Sequence, residues 1–174
     1  MIMLATLIDE PESGKYKERI YDIHNPWNSG DWTWVKFTDD DLEEWCGNFR
    51  GSPRGVALSK RHQVVLILTS DYLFKLDAGT GNLLDSVPEP DYRSLTVSPS
   101  GEFIAANDYH LDLLHPNLQD ATSIPTPVEV DMLVFNGWHG NKLSISCTDF
   151  LNINQSLELE LDSETYELVL KDSR

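Results

Sequence analysis

Basic side chains are scarce in this chain. Thirteen Lys and Arg stand against 29 Asp and Glu, a formal net charge of −16. That balance argues against direct attachment to nucleic acid or to an anionic membrane, because the leading electrostatic term would be repulsive. Cysteine is nearly missing as well. Cys46 and Cys147 are isolated from each other and do not make a disulfide framework, so both are read as reduced thiols. Long apolar runs are also lacking. Nothing approaches the roughly 20 residues of a membrane-spanning helix. The opening "MIMLATLIDEPESGKYKE" places no basic region ahead of its apolar run, which is shorter than a signal peptide's core. These absences give the expectation of a cytoplasmic protein. With 40% hydrophobic and 10% aromatic residues, the composition is that of a globular chain. A single domain over residues 1–174 is the default.

Catalytic patterns are missing too. The five histidines, His24, His62, His110, His115 and His139, form no H-x-H or H-x-x-x-H pair, and with the cysteines isolated no zinc spacing emerges. There is no phosphate loop, G-x-G-x-x-G or H-E-x-x-H, and no G-x-S-x-G. The acidic run "TDDDLEEW" (38–45) suggests calcium, but counting from Asp39 the sixth and twelfth loop positions hold Glu44 and Arg50, where an EF-hand needs Gly and Glu. The expectation is a protein without enzymatic activity, metal or cofactor.

What is present is a repeat. "GVALSKRHQVVLILTSDYLFKLDAGTGNLLDSV" (55–87), "SLTVSPSGEFIAANDYHLDLLHPNLQDATSI" (94–124) and "MLVFNGWHGNKLSISCTDFLNINQSLELELDSETYELVL" (132–170) follow one plan. Each opens with a short apolar strand, turns through polar residues, and continues with two further strands. The openings at Val56, Leu95 and Leu133 are spaced by 39 and 38 residues. "VVLILT" is continuously apolar and should be covered on both faces. "SLELELD" alternates, so one of its faces should meet water. Val65, Ile67, Ile104, Val134 and Ile145 are the expected core. In "YLFKLDAGTGNLL", Leu73 and Lys75 should face one way and Tyr72, Phe74 and Leu76 the other, before Ala78-Gly79-Thr80-Gly81 reverses the chain. "SIPTPVEV" (123–130) reads as a loop between sheets.

"LTVSPSGEFIAAND" resembles the strand–turn–strand unit of WD-type propeller repeats, and "YLFKLDAGTGNLL" resembles that of quinoprotein-type repeats. The WD dipeptide and the Gly-His pair are missing, and Asn82-Leu83-Leu84 stands where quinoprotein repeats place Trp. The resemblance therefore implies sheet architecture and no inherited active site. Propellers carry about four to eight blades. Residues 55–170 supply three, and the strand-like runs "IMLATLI", "RIYDI", "WTWVKF" and "EWCGNFRG" in residues 1–50 can supply a fourth. The expected fold is all-β, with antiparallel sheets in a small or incomplete propeller-like arrangement.

The function this leaves is binding. The carboxylates Asp39, Asp40, Asp41, Glu43 and Glu44, with Trp45 beside them, read either as a solvated turn or as a contact surface for a basic protein. Alternating Trp32 and Trp34 read as core. "GNFRGSPRG" (47–55) reads as a strand end with Arg50 or Arg54 paired to a carboxylate. A compact, acidic, non-enzymatic chain of this style is similar to bacterial toxin immunity proteins, including those of contact-dependent inhibition systems. That resemblance implies a basic toxin partner, a nuclease domain, whose active site the chain would cover. The alternative is a propeller-like scaffold or peptide-binding module.

Overall fold

In the computed structural model, which describes residues 1–171, all regular structure is β. Sixteen strands form four sheets of four. By its internal contacts the chain divides into two compact units, Met1–Pro90 and Asp91–Arg174. No helix among the described residues is long and apolar enough to cross a membrane.

Unit 1 holds two sheets. The first contains β1 (Ile2–Ile8), β2 (Lys17–Tyr21), β3 (Trp32–Asp39) and β4 (Glu44–Arg50), in the order β1-β3-β4-β2. All four expected N-terminal runs are strands, but β2 crosses over to pair in parallel with β4. The second sheet is a plain meander of β5 (Pro53–Ser59), β6 (Val64–Thr69), β7 (Tyr72–Asp77) and β8 (Leu83–Pro88). All six residues of β6 are buried, as a continuous apolar run on an inner strand requires. In β7, Tyr72, Phe74 and Leu76 enter the core while Lys75 on the opposite face is half-buried. Leu73 is buried as well. The core is aromatic: Tyr21 stacks on Phe49 with centroids 4.5 Å apart, and Phe49 meets Phe74 at 5.2 Å.

One sequence expectation reverses here. Along β3 the inward residues are Thr33, Val35 and Phe37, and Trp32 and Trp34 are half-buried on the outer face. Alternation fixes which residues share a face. The volume between the two sheets is already filled by Phe37, Phe49, Phe74 and Tyr72.

Unit 2 also holds two meanders. One is β9 (Ser94–Val97), β10 (Phe103–Ala106), β11 (Leu111–Leu114) and β12 (Ala121–Ile124). The other is β13 (Val130–His139), β14 (Lys142–Asp149), β15 (Ser156–Asp162) and β16 (Leu168–Leu170). Each of the three repeat openings lies on the first strand of a meander, and residues 125–129 form the loop between β12 and β13. The core is aliphatic, with Ile104, Leu111, Ile145 and Leu159 fully buried. On β15, Leu157, Leu159 and Leu161 point in while Glu158 is exposed.

Val65, Ile67, Ile104 and Ile145 are each 0% exposed, but Val134 is 53% exposed and Leu133 takes its place at 3%. The β13–β14 register shifts between Asp131 and Val134 and again between Phe135 and Gly137, and Met132 has φ +57°. Because side chains alternate with period two, the extra residue of a bulge sends the next side chain to the opposite face.

Candidate binding surface

The acidic run occupies the connection between β3 and β4. Asp39 ends one strand and Glu44 begins the other, and residues 40–43 make the turn. Asp39 organises it. Its Oδ1 accepts the backbone N–H groups of Asp41 and Glu43, each at 2.9 Å, while its carbonyl accepts Leu42 N–H at 3.1 Å. Leu42 has φ +62° and is 80% exposed, a left-handed turn position occupied by a residue with no partner in the core. The short side chain of Asp suits this task, since it reaches N–H groups two and four residues ahead.

The six expected contact residues divide by what already holds them. Asp40 bonds the Met1 ammonium group, and that hydrogen bond lowers the Asp40 carboxyl below its usual range. Glu44 accepts Lys36 Nζ at 2.8 Å, which in turn raises the Lys36 ammonium. Trp45 is half-buried. It stacks on Phe37 with centroids 4.2 Å apart and carries the Arg19 guanidinium 4.5 Å from its ring centre. Asp39 is committed to the turn. That leaves Asp41 and Glu43, both exposed and without an ion-pair partner among the described residues.

Beside the turn lies a small pocket of about 230 Å³, lined by Asp39, Glu43, Glu44, Trp45, Lys17 and Arg19 together with the Gly79–Gly81 turn. Arg19 Nη1 donates to Thr80 O at 2.7 Å. That turn is built like the acidic one. Asp77 Oδ1 accepts Thr80 N–H and Oγ1–H at 2.7 and 2.8 Å, which holds the Asp77 carboxyl low. Gly81 (φ +71°) closes it against Trp45, where a Cβ would stand 2.9 Å from the ring.

Asp39, Asp40 and Asp41 each offer an oxygen, and these lie within 4.8 Å of one another. Two of the three carboxylates already serve internal donors, so the trio is accounted for as a turn. Chemically the surface offers hydrogen-bond acceptors and negative charge. At the strand's other end Arg50 is paired as expected: its Nε and Nη2 reach the Asp22 carboxylate at 3.1 and 2.9 Å.

No known protein family and no curated protein matches this sequence. Solved structures do. The structure of dihydro-heme d1 dehydrogenase NirN in complex with DHE, a β-propeller-like protein, superposes with a TM-score of 0.54 at 17% identity, over 82% of this chain and 34% of that one. The fold is propeller-like. The likeness reaches no further than fold, and this chain spans about a third of the NirN chain it matches. The N-terminal domain of Nup159 matches at a TM-score of 0.47 and 10% identity, over 71% of this chain and 34% of that chain. A Bacteroides caccae protein of unknown function matches at 0.46 and 14%, over 80% and 58%.

Proposed function

We propose that this protein is a non-enzymatic binding protein whose acidic turn, Asp39–Glu44, receives a basic protein partner. The observation that carries the reading is the state of Asp41 and Glu43. They project from a hydrogen-bonded turn in a chain of net charge −16 and make no ion pair among the described residues. Lysine and arginine of a partner reach them without breaking any contact the fold relies on. The finer reading, drawn from the resemblance to immunity proteins, is a nuclease toxin domain as that partner, met in the cytoplasm. Such a domain is basic because it must hold phosphates, and carboxylates standing in for those phosphates would block it. Complementary charge also raises the association rate.

The test is co-expression with a toxin nuclease domain encoded beside this chain, followed by pull-down and by scoring of cell survival. A stable complex and protected cells are the expected result. Absence of a complex with that domain refutes the nuclease reading. Turnover of nucleic acid, ester or glycoside by the purified chain, abolished by replacing one carboxylate, refutes the non-enzymatic one.

A further inference from the structure

The outward turn of Trp32 and Trp34 gives the first sheet a second surface. Strand pairing sets Trp34 opposite both Ile8 and Asn48, Asn48 opposite Ile20, and Trp32 opposite Arg50. These side chains share the face away from Val35, Phe37 and Phe49. The β1–β2 connection brings Glu10, Pro11 and Ser13 to the same place. With Glu18, Ile20, Trp32, Trp34 and Asn48 these loop residues line a groove of about 420 Å³. Ile20, at 67% exposure, stands open on it.

Its charges are one-sided. Two strand cations among the described residues share this face and both are matched: Lys36 Nζ meets Glu44 at 2.8 Å, and Arg50 makes two hydrogen bonds from its guanidinium to Asp22, its guanidinium carbon lying 3.8 Å from the Trp32 ring centre. Glu18 accepts one hydrogen bond, from Asn48 Nδ2 at 3.0 Å. Glu10 is exposed and has no partner among the described residues.

We infer that this groove binds an extended peptide segment presenting an arginine or lysine side chain between apolar ones. Trp32 and Trp34 are two residues apart on one strand, about 6.7 Å along it, and alternate side chains of an extended peptide repeat at the same interval. One peptide side chain therefore meets one indole and the next same-face side chain meets the other. Indole faces attract guanidinium and ammonium groups, and this chain already uses them so with Arg50 on Trp32 and Arg19 on Trp45. The carboxylates of Glu10 and Glu18 then meet the cationic head. A second copy of the chain is disfavoured by the charge each copy carries. A neutral sugar would stack on the indoles but leave both carboxylates without a counter-charge. The inference needs no nuclease and stands apart from the acidic turn.

The test follows the tryptophan indole N–H signals by NMR while acetyl-Val-Arg-Val-Arg-Val-amide is added. Of the five tryptophans, Trp32 and Trp34 are expected to shift, saturating with a dissociation constant on the order of 1 mM or tighter, as suits a short peptide that must order itself on binding. The Val-Gln-Val-Gln-Val analogue should bind about fivefold or more weakly. Trp34→Ala should abolish the shifts of Trp32, with the Trp45 and Trp138 signals reporting an intact fold. Glu10→Gln, a surface change, should weaken binding about threefold whatever Trp34→Ala does to folding. Asp41→Lys/Glu43→Lys should leave peptide binding in place, which separates the groove from the turn. Equal binding of the glutamine analogue overturns the inference. So do shifts of the same indoles with cellobiose but not with the arginine peptide, and so does the absence of any shift.

Discussion

Gly51 joins β4 to β5 at φ +104°, and replacing it with alanine tests the packing of unit 1 directly. A Cβ there would stand 2.6 Å from Thr69 Oγ1 and 2.8 Å from the backbone nitrogen of Asp71. Neither neighbour is free to yield. The Thr69 hydroxyl is buried, donates to Arg50 O at 2.7 Å and accepts the N–H groups of Asp71 and Tyr72 at 3.2 and 3.0 Å. Gly51 is itself pinned, its N–H donating to Asp31 O at 2.9 Å and its carbonyl accepting Thr33 Oγ1–H at 2.7 Å. A side chain at this φ costs about 1–2 kcal/mol in backbone strain, and disrupting buried hydrogen bonds adds about 1–3 kcal/mol. The sum is ~2–5 kcal/mol, a large share of the roughly 5–15 kcal/mol by which a domain is stable. At roughly 2–4 °C per kcal/mol for a chain of this size, the melting temperature should fall by roughly 4–20 °C. Two controls separate the causes. Gly137 has φ +125° but open space around its position, so Gly137→Ala should show the strain alone, and Gly30, with open space and no positive φ, should tolerate alanine. Calorimetry on the three variants decides the matter. If Gly51→Ala melts within about 2 °C of wild type, or no lower than Gly137→Ala, the clash with Thr69 and Asp71 does not govern this junction.

The acidic turn carries the functional prediction. Asp41→Lys/Glu43→Lys should slow association with a basic partner about tenfold at low salt, with the gap narrowing as salt rises, while reversing Asp40 and Glu44, whose charges are matched internally, should do less. Stopped-flow kinetics at two ionic strengths read this, and an unchanged rate at low salt removes the turn from the interface. Val65, 0% exposed, should not tolerate aspartate. Val65→Asp should cost about 3–5 kcal/mol as an unpaired buried charge, and full thermal stability would show the side chain escapes the core. Burial pushes the thiols of Cys46 and Cys147 up to about 11. At pH 8 a thiol reagent should therefore label neither in the native chain and both in urea, with rapid native labelling as the contrary result. Lys142 Nζ, 2.7 Å away, and the N–H groups of Glu164 and Thr165 hold Asp162 down to about 2. A carboxyl lowered in the folded state stabilises above its ordinary value of about 4 and loses that effect as pH falls from about 4 to about 2. Urea midpoints for Asp162→Asn should decline less than wild type over that interval, and parallel decline would refute the coupling.

The strands were legible because their evidence is local. "VVLILT" and "SLELELD" state their burial through period and composition, and the glycine-bearing turns mark where each meander folds back. The parallel pairing of β2 with β4 was not legible, since no residue in "RIYDI" or "EWCGNFRG" encodes which neighbour it will take across an intervening strand. Nor was Val134, because the bulge at Met132 inverts faces that an unbroken alternation would have assigned the other way. At the acidic turn the sequence shows five carboxylates of equal standing. Their division into Asp41 and Glu43, facing solvent, and Asp39, Asp40 and Glu44, held by the fold, depends on donors that arrive from Met1, Lys36 and the turn's own backbone. The error over Trp32 and Trp34 has the same root. Period two sorts β3 into Trp32, Trp34 and Lys36 on one side and Thr33, Val35 and Phe37 on the other, and bulk alone favours the tryptophans as core. Lys36 breaks the tie. A lysine on the tryptophan face requires that face to reach water at one end, whereas Thr33 can be buried because its hydroxyl finds the Gly51 carbonyl. Once Phe37 is inside, it brings Phe49 and Phe74 into one aromatic cluster, and the indoles are left as the outer groove on which a binding partner can act.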